Sequence, residues 1–306
     1  MRDGQCARSA ERRRRMKLSV IGAGKVGKTL CRLWSHVGVF EIGDVLNRRP
    51  EHARIAADFI GAGKPVATWA DLGKADLFMI AVPDDAIAAC AERLAEAGLV
   101  GPGVIAFHCS GSKSSSVLAA AKAAGADVAS LHPVKTFADP RRAAETFAGT
   151  YCALEGDPRA RAVLQEAVER GGGRCFGIDA EQKLIYHAAT VFLSNYVVAL
   201  LEVGLTCFEK AGMTREDAVR IGLPLVRETV ENVASLGTLQ ALTGPIARGD
   251  SRLVAEQLRA LLDWNPEIGR LYAGLGLRAV EIAKRRRSAE AGLLDAIEDA
   301  LARLPS

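Results

Sequence analysis

The sequence has few aromatic residues, no closely spaced cysteines and no long apolar runs. Aromatic residues make up 5% of the 306 residues, whereas 49% are hydrophobic, so the core is expected to consist mainly of aliphatic side chains. The seven cysteines include no Cys-x-x-Cys pair, which argues against a zinc site or a disulfide framework and fits a reducing cytoplasm. No uninterrupted apolar run approaches the roughly 20 residues that cross a bilayer. We therefore expect a cytoplasmic protein with no membrane partner.

The formal net charge of +4 is concentrated in the first 15 residues. Beyond them, residues 16–306 contain equal numbers of basic and acidic side chains. A nucleic-acid partner is therefore not expected for the folded body. Met16 stands directly before the first strand pattern, and we interpret residues 1–15 as a disordered basic tail or an over-long start.

Short apolar runs alternate with helical patterns up to about residue 178, and only helical patterns follow. Near-continuous apolar strands separated by helices are typical of a parallel sheet that is covered on both faces. We predict an α/β domain with a mostly parallel sheet over residues 16–178, followed by an all-α domain for substrate binding and dimerisation over residues 179–306. The predicted strands are Leu18–Ile21, Asp44–Leu46, Val66–Thr68, Leu77–Val82, Val104–Phe107, Val128–Leu131, Tyr151–Leu154 and Cys175–Gly177.

A glycine-rich turn follows the first predicted strand and opens a helix. It reads Gly22-Ala23-Gly24-Lys25-Val26-Gly27, and it stands at the start of the α/β domain. In this context G-x-G-x-x-G predicts a Rossmann-type dinucleotide site, with the pyrophosphate at the helix N-terminus. All six residues are candidate cofactor ligands.

The end of the second predicted strand indicates which dinucleotide binds. An NAD site usually has an acidic residue about 20 positions after the glycines; here Asn47, Arg48 and Arg49 stand at that point. Guanidinium groups can pair with a 2′-phosphate, so we predict NADP, with a solvated arginine loop as the alternative. Val82 and Pro83 are predicted to form an apolar wall against the cofactor, and Asp84 or Asp85 to cap the next helix.

Two further strands deliver polar residues to the same edge of the sheet. The fifth ends in His108-Cys109-Ser110-Gly111 and the sixth in His132-Pro133. We expect a polar pocket there, with Ser110 contacting cofactor or substrate. No nucleophile elbow surrounds Cys109 or Ser110, so covalent catalysis is not expected.

The first helix of the C-terminal half, Ala180 to about Ala211, is mostly apolar with one polar stripe. At 100° per residue, one face carries Lys183, His187, Thr190 and Ser194, and Asn195 lies at its margin. A helix that is apolar on nearly all sides is expected to be buried. The stripe then faces either a substrate cleft or hydrogen-bonding partners in neighbouring helices.

A shaped loop lies further along, at Thr243-Gly244-Pro245 and Arg248-Gly249-Asp250. Asp250 is predicted to cap the following helix. Arg248 is a candidate bidentate ligand for a substrate carboxylate.

Taken together, these motifs resemble those of the Rossmann-like oxidoreductases whose C-terminal helical domain has no assigned function. The resemblance covers nearly everything after Met16 and includes Tyr186-His187-Ala188-Ala189 and Ser194-Asn195-Tyr196. More distantly, the chain is similar to ketopantoate reductase, pyrroline-5-carboxylate reductase, prephenate dehydrogenase and deazaflavin-dependent NADP reductases. Lys183 matches the catalytic Lys of ketopantoate reductases, although His187 stands where they have Asn.

The resemblance and the residues together predict an NADP-dependent oxidoreductase that acts as a homodimer. Hydride would pass between the nicotinamide and a small carbonyl or imine, with a 2-oxo acid as the specific expectation. The candidate catalytic residues are Lys183, His187 and His132 as proton donors, Ser110 and Asn195 as orienting groups, and Arg248 as a carboxylate clamp. No metal is expected. The alternative is an NADP-binding sensor without turnover.

Overall fold

A computed structural model describes residues 15–303 of the chain. The predicted tail at residues 1–15 lies outside the described residues, apart from Arg15. The chain divides into two compact units between Asn195 and Tyr196, later than the predicted boundary at residue 178. The first helix after the sheet therefore belongs to the first unit.

The first unit contains one eight-stranded sheet in the order β3-β2-β1-β4-β5-β6-β7-β8. Every neighbouring pair is parallel except β6 and β7, which are antiparallel. The predicted fold class, a mostly parallel sheet followed by helices, is confirmed. The strands are β1 Lys17–Ile21, β2 Glu41–Leu46, β3 Lys64–Val66, β4 Leu77–Ile80, β5 Ile105–His108, β6 Asp127–Pro133, β7 Tyr151–Gly156 and β8 Arg174–Gly177.

Helices cover both faces of this sheet. Alternate residues of β4 show the two layers: Leu77 and Met79 enter one buried cluster, and Phe78 and Ile80 enter the other. This two-sided burial explains the continuous apolar runs of the central strands. The helices of the first unit are α1 Lys25–His36, α2 Pro50–Ile60, α3 Ile87–Glu96, α4 Ala119–Ala123, α5 Pro140–Glu145, α6 Pro158–Arg170 and α7 Lys183–Leu193.

The second unit is helical in its described part, and it has its own small core. Val254, Ala273, Val280 and Ile297 are among its fully buried residues. As predicted, Asp250 caps a helix by accepting a hydrogen bond from the Leu253 amide at 3.2 Å. The helices are α8 Asn195–Lys210, α9 Arg215–Ala241, α10 Pro245–Arg248, α11 Ser251–Trp264, α12 Pro266–Arg286 and α13 Ala291–Ala302.

The long apolar helix differs from its prediction in two ways. It is interrupted at Ser194, whose backbone (φ −129°, ψ −69°) separates α7 from α8. It is also exposed rather than buried, since Leu193 is 81% and Ile185 72% accessible. The hydrophobic periodicity indicated a covered helix, but among the described residues of one chain these side chains are left exposed.

This exposed stretch also bears on the membrane prediction. Among the described residues, Ala180–Lys210 is long and apolar enough to cross a bilayer, with a mean hydropathy of 1.8. The expectation that no such stretch exists was wrong. Length and composition alone are weak evidence for a membrane span, because helices covered by protein have the same composition.

Candidate active site

The glycine turn after β1 has the geometry that its sequence predicts. Gly22 adopts φ +81°, and a Cβ there would lie 2.5 Å from Cγ1 of Val82. Gly27 lets α1 approach the sheet closely, because a Cβ would lie 3.0 Å from Cβ of Ala81. At Gly24 a Cβ would meet no atom within 4 Å, so this residue borders open space. The first and third glycines therefore serve packing, and the second leaves room for a ligand.

The open space beside Gly24 is a cavity of about 950 Å³ at the carboxyl ends of β1, β2 and β4. Parallel α/β sheets bind ligands at this edge. The lining is Ile21, Gly22, Ala23, Gly24, Lys25, Lys28, Leu46, Asn47, Arg48, His52, Ile55, Ala56, Trp69, Ala81, Val82, Pro83, Asp85, Ala86, Cys90 and Arg93.

Most of the predicted cofactor ligands border this cavity, but four do not. Arg49 is exposed at the N-cap position of α2 and does not line the cavity, whereas its neighbour Arg48 does. Val26 packs against the core, and Gly27 is buried beside Ala81. Ser110 belongs to a second cluster, described below. Their assignment as cofactor ligands stays a prediction that this geometry does not support.

The charged groups of the cavity favour an anion. Lys25, Lys28, Arg48 and Arg93 line it, against Asp85 as its acidic lining residue. The N-terminus of α1, which begins at Lys25, lies beside this cavity, and the amides of a helix's first turn have no acceptor within the helix. An excess of cationic side chains around a helix N-terminus suits a phosphorylated ligand.

Lys183 is fully buried at the start of α7. Its Nζ donates hydrogen bonds to Oγ of Ser130 at 2.7 Å and to the carbonyl oxygen of Ser110 at 3.2 Å. Burial lowers the pKa of Lys183, while Glu155 and Asp84 act in the opposite direction. Because both hydrogen bonds end on the protein and the side chain is inaccessible, this geometry makes Lys183 a positioning residue. It does not support the predicted role as a proton donor to substrate.

His132 and Tyr186 contact each other. With His187, Lys183 and the loop of residues 110–112 they form the group that is called the histidine cluster below. The Tyr186 hydroxyl lies 2.7 Å from Nδ1 of His132. Burial lowers the pKa of His132 to about 4, with smaller contributions from His187 and Lys183. Burial also raises the pKa of Tyr186 to about 12. With a neutral imidazole and a protonated phenol, this contact has two possible directions: the Tyr186 hydroxyl donates to Nδ1, which leaves the ring hydrogen on Nε2, or Nδ1–H donates to the phenol oxygen.

His187 approaches His132 on the opposite side from Tyr186. The two imidazole rings are 5.6 Å apart and nearly perpendicular. A Cβ built on Gly111 would lie 2.4 Å from Nδ1 of His187 and 2.8 Å from Nε2 of His132. The two ring nitrogens thus converge on the point where residue 111 has no side chain.

Ser110 shapes the loop after β5. Its Oγ accepts the amides of Ser112 at 3.2 Å and Lys113 at 3.0 Å, and its own amide donates to Nδ1 of His108 at 3.1 Å. Burial lowers the pKa of His108 to about 4. Ser110 therefore holds the loop and, through its carbonyl oxygen, Lys183; its predicted contact with substrate stays a prediction.

Asp84 connects the nucleotide cavity to this cluster. It follows the cavity residues Val82 and Pro83, and its carboxylate accepts a hydrogen bond from Oγ of Ser112 at 2.6 Å. No side-chain cap bond forms at the start of the short turn Asp84–Ala86 or of α3, so the predicted helix-capping role of Asp84 and Asp85 was wrong. The turn after β4 thus contributes to both sites.

The remaining residues of the polar stripe extend away from this group. The Thr190 hydroxyl lies 3.3 Å from Nδ1 of His187 and 2.7 Å from its carbonyl oxygen. The Ser194 hydroxyl lies 2.7 Å from the Thr190 carbonyl oxygen and 2.9 Å from Oδ1 of Asn195. Asn195 is exposed, and Arg248 is an exposed residue of the second unit. The polar stripe therefore divides: Lys183 and His187 face the ends of β5 and β6, whereas Ser194 and Asn195 bond to each other.

The sequence patterns assigned no role to several contributors to these sites, among them Tyr186, Gly111, Glu155, Trp69 and Arg93. Glu155 is buried on β7, where its carboxylate accepts the Ser115 amide at 2.6 Å and the Ser115 hydroxyl at 2.7 Å. A glutamate inside the apolar strand Tyr151–Gly156 was the available signal. Tyr186 on an apolar helix gave none, because its partner His132 is distant in sequence.

Two family models match two separate segments of the chain. Residues 2–133 match the Rossmann-like domain, and residues 150–279 match DUF2520, a domain of unknown function. The chain joins a Rossmann-like domain to a DUF2520 domain. The glycine turn and His132 belong to the Rossmann-like part, and Lys183, Tyr186 and His187 belong to the DUF2520 part. Residues of both matches therefore form the histidine cluster.

Solved structures share this fold over almost the whole chain. A Thermotoga maritima protein is 27% identical, with a TM-score of 0.69, and covers 88% of this chain and 99% of its own. A provisionally named NADP oxidoreductase from Bacteroides fragilis is 23% identical, with a TM-score of 0.71, over 87% and 98%. A pyrroline-5-carboxylate reductase from Streptococcus pyogenes is 15% identical, with a TM-score of 0.60, over 89% and 98%. No curated protein matches the chain.

Proposed function

We propose that this protein is an NADP-dependent oxidoreductase that transfers a hydride between the nicotinamide and a small carbonyl or imine substrate. The observation that carries the proposal is the turn after β4. It lines a cationic dinucleotide cavity with Val82 and Pro83, and it contacts the histidine cluster through Asp84 and Ser112. Such a turn brings a nucleotide site and proton-transfer groups to one edge of the sheet.

The protein's own contribution is to bind, orient and protonate. When bound, the cofactor supplies the hydride. Gly24 makes room for its pyrophosphate, and Arg48 pairs with the 2′-phosphate. The bias toward NADP over NAD rests on Arg48, since Arg49 lies outside the cavity lining.

His132 is the proposed proton donor to the substrate atom that gains negative charge. In this proposal the Tyr186 hydroxyl, 2.7 Å away, donates to Nδ1, so the ring hydrogen of His132 is on Nε2. As Nε2 gives its proton to the substrate, Nδ1 takes the hydroxyl proton of Tyr186, and Tyr186, which is partly exposed, is reprotonated from water. His187, whose ring centre lies 5.6 Å from that of His132, is the proposed second polar contact. Lys183 holds the Ser110 carbonyl and Ser130, and thereby fixes the loop that carries Gly111.

The substrate subclass comes from the sequence rather than from these contacts. A 2-oxo acid is our specific expectation, with Arg248 as the ligand of its carboxylate and Asn195 as an orienting group. Both residues are exposed, so they are available to a ligand.

The protein is also proposed to work as a cytoplasmic homodimer. Large apolar side chains on α7, α8 and the central part of α9 are exposed to water in one chain. A second copy has the same exposed apolar side chains, and contact between the two copies would bury them. The six described cysteines are free thiols, which fits a reducing compartment. The exposed members are Leu184, Ile185, Phe192, Leu193, Val198, Leu200, Leu225, Val230 and Leu236.

The test is NADPH oxidation, followed at 340 nm, against a panel of 2-oxo acids, imines and deazaflavins. Consumption with one class of compound, lost in His132→Gln and reduced in Tyr186→Phe, is the expected result. Tight NADPH binding without consumption across the panel would favour the sensor alternative. A protein that binds neither NADPH nor NADH would overturn the proposal as a whole.

A further inference from the structure

Two side chains that line the nucleotide cavity lie far along the chain from the glycine turn. Trp69 and Arg93 line the cavity from separate elements: a short turn after β3 and the last turns of α3. The guanidinium carbon of Arg93 lies over the Trp69 ring, 5.1 Å from its centre. Below, these two side chains are called the Trp69–Arg93 pair.

The indole is held in place before any ligand binds. Thr68 and Asp71 form a capping box around the turn, with the Asp71 carboxylate accepting the Thr68 amide at 2.9 Å and its hydroxyl at 2.8 Å. Trp69 also packs against the buried cluster beneath α3 and α4. Its ring therefore supports the guanidinium from below, while Arg93 itself is exposed on its outer side.

An apolar side chain from another helix also lines the cavity. Ile55 on α2 is 59% accessible although it is a large aliphatic residue, and it lines the cavity with Arg48 and His52. A planar cation on an aromatic ring, together with an exposed aliphatic side chain, offers stacking and apolar contact. These are the contacts by which proteins bind the faces of nucleobases.

We propose that the Trp69–Arg93 pair is the purine-binding wall of this cavity, with the Arg93 guanidinium stacked between the indole and the adenine ring. The inference rests on the proposed function, because it takes the ligand to be an adenine dinucleotide. It assigns Arg93 to the base and leaves the 2′-phosphate to Arg48. The base is common to NADPH and NADH, so Arg93 contributes to the binding of both nucleotides. Only NADPH has the 2′-phosphate, so Arg48 contributes to the binding of NADPH alone.

Calorimetric titration of NADPH and NADH separates these roles without any substrate. Arg93→Ala is expected to weaken both nucleotides by the same factor, at least about fivefold. Arg93→Lys keeps the charge but loses the planar face, so it is expected to weaken binding nearly as much. Arg48→Ala is the matched control and is expected to weaken NADPH alone.

The indole is tested by a second pair of variants. Trp69→Ala removes the support of the guanidinium and is expected to weaken both nucleotides, whereas Trp69→Phe keeps an aromatic ring and most of the affinity. Titration with adenosine 2′,5′-bisphosphate, which lacks the nicotinamide, is expected to change the tryptophan fluorescence. Trp264→Phe is the control that keeps this change, and Trp69→Phe is expected to lose it.

Several results would overturn the inference while leaving the proposed function intact. If Arg93→Ala weakens NADPH alone, Arg93 binds the phosphate rather than the base. If Arg93→Lys binds like wild type, charge suffices and stacking plays no part. Unchanged affinity in Trp69→Ala has the same consequence for the indole. If the wild-type protein binds neither nucleotide, the proposed function fails, and this inference fails with it.

Discussion

The Tyr186 hydroxyl and Nδ1 of His132 lie 2.7 Å apart, although 54 residues separate them in the chain. Tyr186 is on α7 and His132 is on β6, the strand that pairs antiparallel with β7. In the proposed mechanism the hydroxyl donates to Nδ1, which places the hydrogen of that imidazole on Nε2.

His132 is expected to make folding depend on pH. Burial lowers its pKa from 6.5 to about 4, so the folded protein binds this proton less readily than the unfolded chain does. The contribution to stability is therefore complete above pH 6.5 and is lost as the pH falls to about 4. Its size is about 3 kcal/mol. Urea unfolding between pH 7 and 4 should show a smaller loss in His132→Gln than in wild type, and an equal loss would contradict the assigned pKa.

Lys183 is expected to matter for stability as well as for turnover. Lys183→Met removes the buried ammonium and both hydrogen bonds that it donates, and leaves the Ser110 carbonyl with the Ser130 hydroxyl, at 3.3 Å, as a donor. We expect a loss of about 2 to 4 kcal/mol in the free energy of unfolding. Lys113→Ala is the control, since Lys113 is exposed and should change stability by less than about 0.5 kcal/mol. Equal stabilities of the two variants would show that the buried contacts of Lys183 are unimportant.

Gly22 and Gly24 are expected to respond differently to the same substitution. Gly22→Ala places a Cβ at φ +81° and 2.5 Å from Val82, so it should lower the melting temperature markedly. Gly24→Ala has an ordinary φ of −71° and no atom within 4 Å, so the fold should be unaffected. The added methyl group enters the cavity, and NADPH affinity should fall. Scanning calorimetry with and without NADPH measures both effects; a Gly24→Ala protein that binds normally would place the ligand elsewhere.

The two neighbouring arginines are expected to differ in their effect on cofactor choice. Arg48 lines the cavity, whereas Arg49 does not. Losing a charge-assisted contact with a phosphate costs about 1.5–3 kcal/mol, so Arg48→Ala should weaken NADPH about 10- to 100-fold. NADH should bind with nearly unchanged affinity, and Arg49→Ala should leave both constants near wild type. A larger effect of Arg49→Ala would reverse the assignment.

The apolar surface of α7 is expected to hold two copies together. Leu193→Glu, at a position that is 81% accessible in one chain, should convert a dimer into a monomer in light scattering after size exclusion. Val37→Glu carries the same charge at another exposed apolar position and should leave the dimer intact. A wild-type protein that is monomeric in buffer, or that dissolves only in detergent, would contradict this proposal.

Local patterns predicted the sheet and the glycine turn, because these depend on near neighbours. Seven of the predicted strands overlap the observed ones closely, whereas β3 is Lys64–Val66 and shares only Val66 with the predicted Val66–Thr68. Gly22 and Gly27 have the packing roles that the motif implies. The break at Ser194 was not predicted, since the sequence there contains neither Gly nor Pro. The apolar pattern indicated that the side chains of this helix are buried by other protein atoms. It could not show whether those atoms belong to the same chain or to a second copy.

The candidate site was only partly predictable for a related reason. Strand ends placed His132 and Ser110 at one edge, and helical spacing put Lys183 and His187 on one face. The burial of Lys183 depends on Ser130, a residue inside an apolar strand with no motif around it. Likewise, Arg48 and Arg49 are the same residue type, so the sequence could not distinguish them. The structure shows that Arg48 lines the cavity and that Arg49 is the N-cap of α2.

The missing side chain at position 111 allows two imidazole rings from distant parts of the chain to lie close together. Even a methyl group there would lie 2.4 Å from Nδ1 of His187 and 2.8 Å from Nε2 of His132, well inside van der Waals contact. Any other residue at this position would force the rings apart. The spacing of the two histidines therefore depends on a glycine that carries no functional group of its own.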